Sequence, residues 1–253
     1  MQEDILHFFR PINHSFDVKE DDYVQAKVCI SMADAMARNT NSSLYIIDYN
    51  QKNFLYVSPN PLFLCGYTPE EVRQKGYGFY FEVVPTEEIR MLFEINEAGF
   101  YLFGRHSSEE KYGMTIEYDF HIKACDGRFR LIHHKLTPVL LDKDGYMWLA
   151  LCTVSLSPAS VSGNVLMTCK HRPVHWVYSF EGQRWKEFPN IVLTDRETDI
   201  LQLAVKGFSN TEIGGALYVD ANTVKFHKKK LFQKLHAKNI TEAIGIVSNL
   251  RLI

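Results

Sequence analysis

Two hydrophobic periods divide this chain. Between Ser43 and Val154 the apolar residues come in short runs bounded by turn formers, which is a strand pattern. Leu44-Tyr45-Ile46-Ile47 is a buried-type strand, Asp48 to Asn53 a turn, and Phe54-Leu55-Tyr56-Val57 its hairpin partner. Thr68 and Pro69 suit the N-cap and first position of a helix, and a second helix is expected over Glu87–Gly99. Gly104 to Gly113 reads as a polar loop. Met114–Lys123 and Phe129–Thr137 read as strands joined at Asp126-Gly127, the signal of a type I′ hairpin. After a turn at Asp142–Gly145, Tyr146–Val154 is the last strand of this set.

On either side the period becomes helical. Residues 1–41 form a helical segment, with an apolar cluster at Ile5, Leu6, Phe8 and Phe9, then a break at Pro11 and Asn13. A stripe of Val24, Val28, Met32, Ala35 and Met36 follows, which suits packing on its own domain or pairing with its twin in a dimer. Residues 158–190 are expected as a linker. It opens in the Ser/Pro/Gly-rich stretch Ser155–Gly163 and holds short strands at Val165–Thr168, Val174–Phe180 and Arg184–Phe188.

Residues 191–253 are patterned most sharply. Thr194 and Glu197 make a capping box, Gly207 ends that helix, and Ser209 and Glu212 make a second box. Asp220 caps a third helix whose core stripe is Val224, Leu231 and Leu235. Asn222, Lys225, Phe226, Lys229 and Gln233 lie opposite that stripe, flanked by His227, Lys230 and Lys234. Lys228 lies nearer the apolar edge. No acidic residue interrupts from Ala221 to Leu235. A solvated lysine face explains such a helix equally well when it is taken alone. Two short helices joined by a tight turn, the second one basic, make a helix-turn-helix pattern and favour DNA.

Charge changes the picture only when it is localised. The chain of 253 residues has a net charge of −2, which argues against nucleic acid. Residues 191–253, however, carry nine Lys/Arg against six Asp/Glu, a net +3, and leave −5 on the rest. The 46% hydrophobic content supports real cores. Five scattered cysteines without paired spacing suit a reduced, cytoplasmic protein. The acidic start is no signal peptide, and no apolar run approaches a membrane span. No metal constellation, nucleophile–base set or nucleotide loop is present, so an enzyme is not expected.

Leu193 to Ile244 resembles the LuxR/GerE-type DNA-binding domain of bacterial transcription factors. The matching segments are LTDRETDILQLAVKGFSNTEI, TVKFHKKKLFQKL and TEAI. The resemblance implies a four-helix domain whose third helix enters the major groove. By position, Lys225 and Lys229 are then base-edge readers, Phe226 offers an apolar contact, and Asn222, Thr223, His227, Lys230 and Lys234 complete the DNA-binding set. It places a dimer contact on the fourth helix at Ala243, Ile244 and Val247. Departures include Gly214-Gly215 in the second helix, Asp220 where serine is common, and Ile240 where arginine is common.

Residues 42–157 resemble a PAS sensor domain through LYIIDYNQKNFLYVSPN, GYTPEEV, the Val84-Pro85-Thr86-Glu87 step and KACDGRFRLI. That resemblance implies a five-stranded antiparallel sheet with helices over one face, enclosing either a ligand or plain core. Tyr77, Phe79, Tyr80, Phe81, Phe93, Phe100, Tyr101 and Phe103 suit core or cavity lining. No cofactor is expected. Gly76–Glu82 holds no flavin-reactive cysteine motif, and of the adjacent His133 and His134 at most one faces the interior.

The expectation is a multidomain α+β protein that acts as a homodimeric, sequence-specific transcription regulator. Its partners would be double-stranded DNA, RNA polymerase and an unknown small-molecule ligand in the PAS-like domain, with no membrane. The alternative is a protein-interaction adaptor that reads no DNA sequence.

Overall fold

The computed structural model describes residues 2–250 and 252. Two compact units divide the chain, Met1–Pro189 and Asn190–Ile253.

The first unit opens with helices α1 (Gln2–His7) and α2 (Tyr23–Asn39), then strands β1 (Ser43–Asp48) and β2 (Asn53–Val57). Helices α3 (Pro61–Leu64), α4 (Pro69–Lys75), α5 (Gly78–Val83), α6 (Thr86–Gly104) and α7 (Ser108–Tyr112) follow. Strands β3 (Met114–Lys123), β4 (Phe129–Leu141) and β5 (Met147–Leu156) complete the five strands expected from the sequence. The sheet does not stop there. β6 (Gly163–Cys169), β7 (Val174–Ser179) and β8 (Arg184–Pro189) continue it from the β3 edge, giving the order β2-β1-β5-β4-β3-β6-β7-β8, antiparallel throughout.

This corrects the expected five-stranded sheet. It has eight strands, and the short strands expected within 158–190 supply the other three. The short strands form where the alternation placed them, but β6 pairs with β3, Met167 opposite Ile116 and Cys169 opposite Met114. Burial drives this. Val165, Met167, Cys169, Trp176 and Tyr178 enter the same core as Ile95, Leu102, Phe103, Met114 and Ile122.

β1 is buried at every position because it is covered on both faces. On one face Tyr45 and Ile47 join the main core, together with Phe54, Phe63, Phe79, Tyr80 and Ile95. On the other, Ile46 packs with Trp148, Leu149 and the alanines Ala26 and Ala33 of α2. Small side chains let that helix approach the sheet closely. The stripe Val24, Val28, Met32 and Met36 is therefore not the packed face, since all four are exposed.

Two local readings also change. Gly104–Gly113 contains α7, opened by a capping box between Ser107 and Glu110. The β3–β4 turn has only Gly127 in the left-handed region, at φ 78°, with its N–H donating to the Ala124 carbonyl. A type I′ turn requires positive φ at both central residues, so the turn is of another type.

The second unit is four helices: α8 (Asp195–Val205), α9 (Asn210–Ala216), α10 (Ala221–Leu235) and α11 (Ile240–Asn249). Leu201, Leu231, Leu235, Ala243 and Val247 form one buried cluster, and Ile200, Ile213 and Val224 a second.

Candidate nucleic-acid interface

Capping fixes where α10 begins. The Asp220 carboxylate accepts the Asn222 and Thr223 N–H groups at 2.7 and 3.0 Å and the Thr223 hydroxyl at 2.8 Å. The Thr223 hydroxyl and these first-turn N–H groups hold that carboxyl below its ordinary range. Val224, Leu231 and Leu235 then anchor one side of the helix in the domain core. The opposite side carries Asn222, Lys225, Phe226, Lys229 and Lys230, all exposed. Lys225 and Lys229 are one turn apart, and the Lys230 ammonium sits 4.5 Å above the Phe226 ring centroid. Thr223 and His227 are half-buried at the margins. The exposed side thus presents cations and one aromatic face, with no carboxylate on the helix to neutralise them.

Not every lysine of this helix serves that face. Lys234, expected at the DNA backbone, instead donates to Glu197 at 2.6 Å and to the Val192 carbonyl at 3.0 Å. Glu197 is buried, caps α8 through Thr194, and has its carboxyl pulled down against burial by Lys234 and Thr194. Lys234 therefore clamps α10 to α8. Lys228 donates to the Asn210 side chain at 2.7 Å and ties α10 to the start of α9. Sequence reasoning missed both partners, which lie 37 and 18 residues away.

Two of the three residues expected at a dimer contact are not available for one. Ala243 and Val247 are fully buried in the domain's own core, whereas Ile244 packs on the same cluster but stays half-buried. An apolar i, i+4 pair looks alike in sequence whether it faces its own domain or a partner.

The two glycines of α9 differ. A Cβ on Gly214 would lie 2.6 Å from the Val219 carbonyl oxygen, whereas one on Gly215 would meet nothing within 4 Å. The tight turn into α10 therefore passes over Gly214. We expect Gly215→Ala to stabilise this unit by about 1 kcal/mol through helix propensity, and Gly214→Ala to destabilise it by about 1–3 kcal/mol through overpacking. Urea unfolding of the two variants checks the contrast. Next in the chain, Tyr218 occupies the left-handed region at φ 55° with its side chain almost wholly exposed.

The interior of the first unit carries polar groups that its apolar pattern does not announce. The Tyr45 hydroxyl lies 2.7 Å from the Tyr80 hydroxyl and 2.6 Å from His134 Nε2. His134 Nδ1 is buried without a protein partner, and burial pushes the imidazole down to about 3. A small cavity of about 30 Å³ adjoins this cluster, and a second of about 40 Å³ shares Tyr49, Asn96, Tyr118 and Leu136 with it. Of the aromatics read from sequence, Phe100 and Phe103 line one and Tyr77 and Tyr80 the other, while Tyr101 is exposed. His133 faces the opposite side of the sheet, between Asp119 at 2.9 Å and Glu117 at 3.2 Å. Among the described residues no helix is long and apolar enough to cross a membrane.

Comparison with known proteins bears on the second unit above all. Residues 191–247 match the GerE family, bacterial regulatory proteins of the luxR family. The transcriptional regulatory protein DegU of Brevibacillus brevis is 43% identical over 56 residues, which is 22% of this chain and 24% of DegU. The response regulator protein VraR of Staphylococcus aureus is 42% identical over 53 residues, 21% of this chain and 25% of VraR. The matched segment thus spans about a quarter of the length of these curated relatives. A solved structure of the Vibrio cholerae VqmA dimer aligns at 16% identity and TM-score 0.33, over 93% of this chain and 89% of that one, a likeness too weak to carry functional weight. The carboxy-terminal four-helix unit is a LuxR-type helix-turn-helix domain, and in this chain it follows an eight-stranded antiparallel sheet.

Proposed function

We propose that this chain is a bacterial, homodimeric, sequence-specific DNA-binding transcription regulator whose PAS-like unit receives a signal. The observation that carries the reading is the exposed face of α10, where lysines and Phe226 project from a helix pinned to its neighbours by Lys234 and Lys228. In the major groove, Lys225 and Lys229 reach base edges and Phe226 contacts a thymine methyl. Asn222, Thr223, His227 and Lys230 lie at the phosphate backbone. Lys234 is left out of this set because its ammonium is taken up by Glu197 and the Val192 carbonyl. On the sensor side, the reading is supported by the buried Tyr45–Tyr80–His134 cluster, where His134 Nδ1 has no protein partner and a small cavity adjoins the ring.

The test is the salt dependence of duplex binding by the full chain. Lysine–phosphate contacts release counterions, so affinity should fall steeply as salt rises. Lys230→Ala should weaken binding to every sequence alike and flatten the slope of log K against log salt by about one. An unchanged slope and affinity would remove this helix from the interface.

A further inference from the structure

Cysteine spacing marks no pair in the sequence, but the fold brings two together. Cys65 ends α3 in the left-handed region at φ 53°, and Gly66 follows at φ 98°. Glycine or asparagine ordinarily fills such a helix end, so the turn itself gives no reason for a cysteine there. Cys125 lies against this turn from the β3–β4 connection. A Cβ on Gly66 would fall 2.8 Å from Cys125 Cβ, closer than side chains pack, and 3.6 Å from its Cα. The bare Gly66 thus lets Cys125 sit on the residue that follows Cys65. Consecutive Cα atoms are about 3.8 Å apart and bridged ones roughly 4.4–6.8 Å apart. A residue touching Gly66 is therefore one short step from bridging distance to Cys65, and that step falls on an exposed turn. The two thiols differ in access. Cys125 is exposed, whereas Cys65 is 9% exposed and its Sγ donates weakly to the Leu62 carbonyl at 3.9 Å. Burial pushes the Cys65 thiol up to about 12, and the neighbouring Cys125 adds to the rise. Oxidants attack thiolates that solvent can reach, so Cys125 reacts first.

We propose that Cys65 and Cys125 form a reversible oxidation site, at which a peroxide closes a disulfide between the end of α3 and the β3–β4 connection. The Cys125 thiolate attacks one peroxide oxygen, the O–O bond breaks and hydroxide leaves, taking up a proton to become water. Cys125 is then a sulfenic acid. The Cys65 sulfur displaces the sulfenic hydroxyl while its own proton passes to the departing oxygen. The S–S bond forms, the S–O bond breaks and a second water leaves. The two thiols together lose two electrons, and one peroxide is reduced to two waters. The place of this bond gives it a consequence. Phe63 of α3 stacks on Tyr45 with ring centroids 4.3 Å apart, and the Tyr45 hydroxyl meets Tyr80 and His134. The disulfide ties down the helix that packs on the buried polar cluster. Its use as an input rests on the sensor reading above; the oxidation itself does not.

The test exposes the reduced full chain to a small molar excess of hydrogen peroxide, then denatures, alkylates and digests it without reductant. Alkylatable thiols should fall from five to three per chain, with one linked peptide pair carrying Cys65 and Cys125. Dithiothreitol should restore all five. Cys65→Ala, with circular dichroism as the folding control, should stop at a Cys125 sulfenic acid that dimedone traps. Cys125→Ser should leave every remaining thiol alkylatable under the same exposure. Linkage of Cys125 to any other cysteine, including that of a second copy, would overturn the pairing. So would recovery of Cys65 as a free thiol in native chains whose Cys125 is oxidised. Equal duplex affinity of the reduced and linked forms would leave the pair standing and count against the sensor reading alone.

Discussion

Replacing Lys225 and Lys229 together by alanine should lower affinity for the chain's preferred duplex by about 100-fold, with much less effect on unrelated duplexes. Each base-edge contact is worth about 1–3 kcal/mol of discrimination, and neighbouring losses do not add fully. The expectation follows from geometry. Both side chains are exposed on the same side of a helix whose far side is locked into the core by Val224, Leu231 and Leu235. Truncation there removes contacts without disturbing the fold. Lys234→Ala is the informative control. It strips the ammonium from the buried Glu197 carboxylate, so it should destabilise the second unit by about 2 kcal/mol, discounted because Lys234 is itself partly exposed. The folded fraction of that variant should keep its base preference. Fluorescence anisotropy on matched and scrambled duplexes, beside urea unfolding, separates the two behaviours. Equal loss on both duplexes for the Lys225/Lys229 variant would mean that these lysines touch only the backbone.

The stability of the first unit should fall on both sides of neutrality, for reasons lodged in two adjacent histidines. His134 stays neutral in the fold because burial pushes it down to about 3, assisted by the nearby His133. An unfolded histidine takes up its proton near pH 6.5. Below that value the unfolded chain binds a proton that the folded chain refuses, and roughly 2 kcal/mol should be lost between pH 7 and pH 5. His133 runs the other way. Burial opposes its charge, but hydrogen bonds to Asp119 and Glu117 outweigh burial and raise it above the ordinary value. Its stabilisation is complete below the unfolded value and is lost as pH rises through the folded one. His134→Gln should flatten the acid side. His133→Gln should flatten the alkaline side and cost about 1–3 kcal/mol, since it removes a hydrogen-bond partner of two buried carboxylates that keep Lys135 and Asn164. Urea midpoints from pH 5 to 8.5 give both slopes. Identical slopes in native and variant chains would contradict the assignment.

How much of this was readable in advance depends on whether the determinant is local. Capping boxes span four residues, and those at Thr194–Glu197 and Ser209–Glu212 form as read, as does the Asp220 cap. The strand runs from Leu44 to Val154 are likewise local, and each one formed. What pairs with what is not local. Nothing within Gly163–Pro189 says that its strands will join the edge of β3, because a strand's alternation fixes its two faces and not its neighbour. The lysines of α10 look equivalent in sequence, yet an acidic cap 37 residues upstream claims Lys234 and leaves Lys229 and Lys230 exposed. Ala243 and Val247 carry the same periodicity whether they face a core or a partner, and the core took them. On α2 the larger apolar residues invite the assumption that they point inward. The alanines won that face because only they allow the helix to lie close on Ile46, Trp148 and Leu149.

The most direct test is enrichment of the full chain's preferred targets from random duplex DNA at low salt. Two copies each presenting α10 should recover a near-palindromic sequence with half-sites centred about one helical turn apart, roughly 34 Å. Recovery of no common sequence, or no retention of duplex at all, would contradict the reading of that helix as the part that meets DNA.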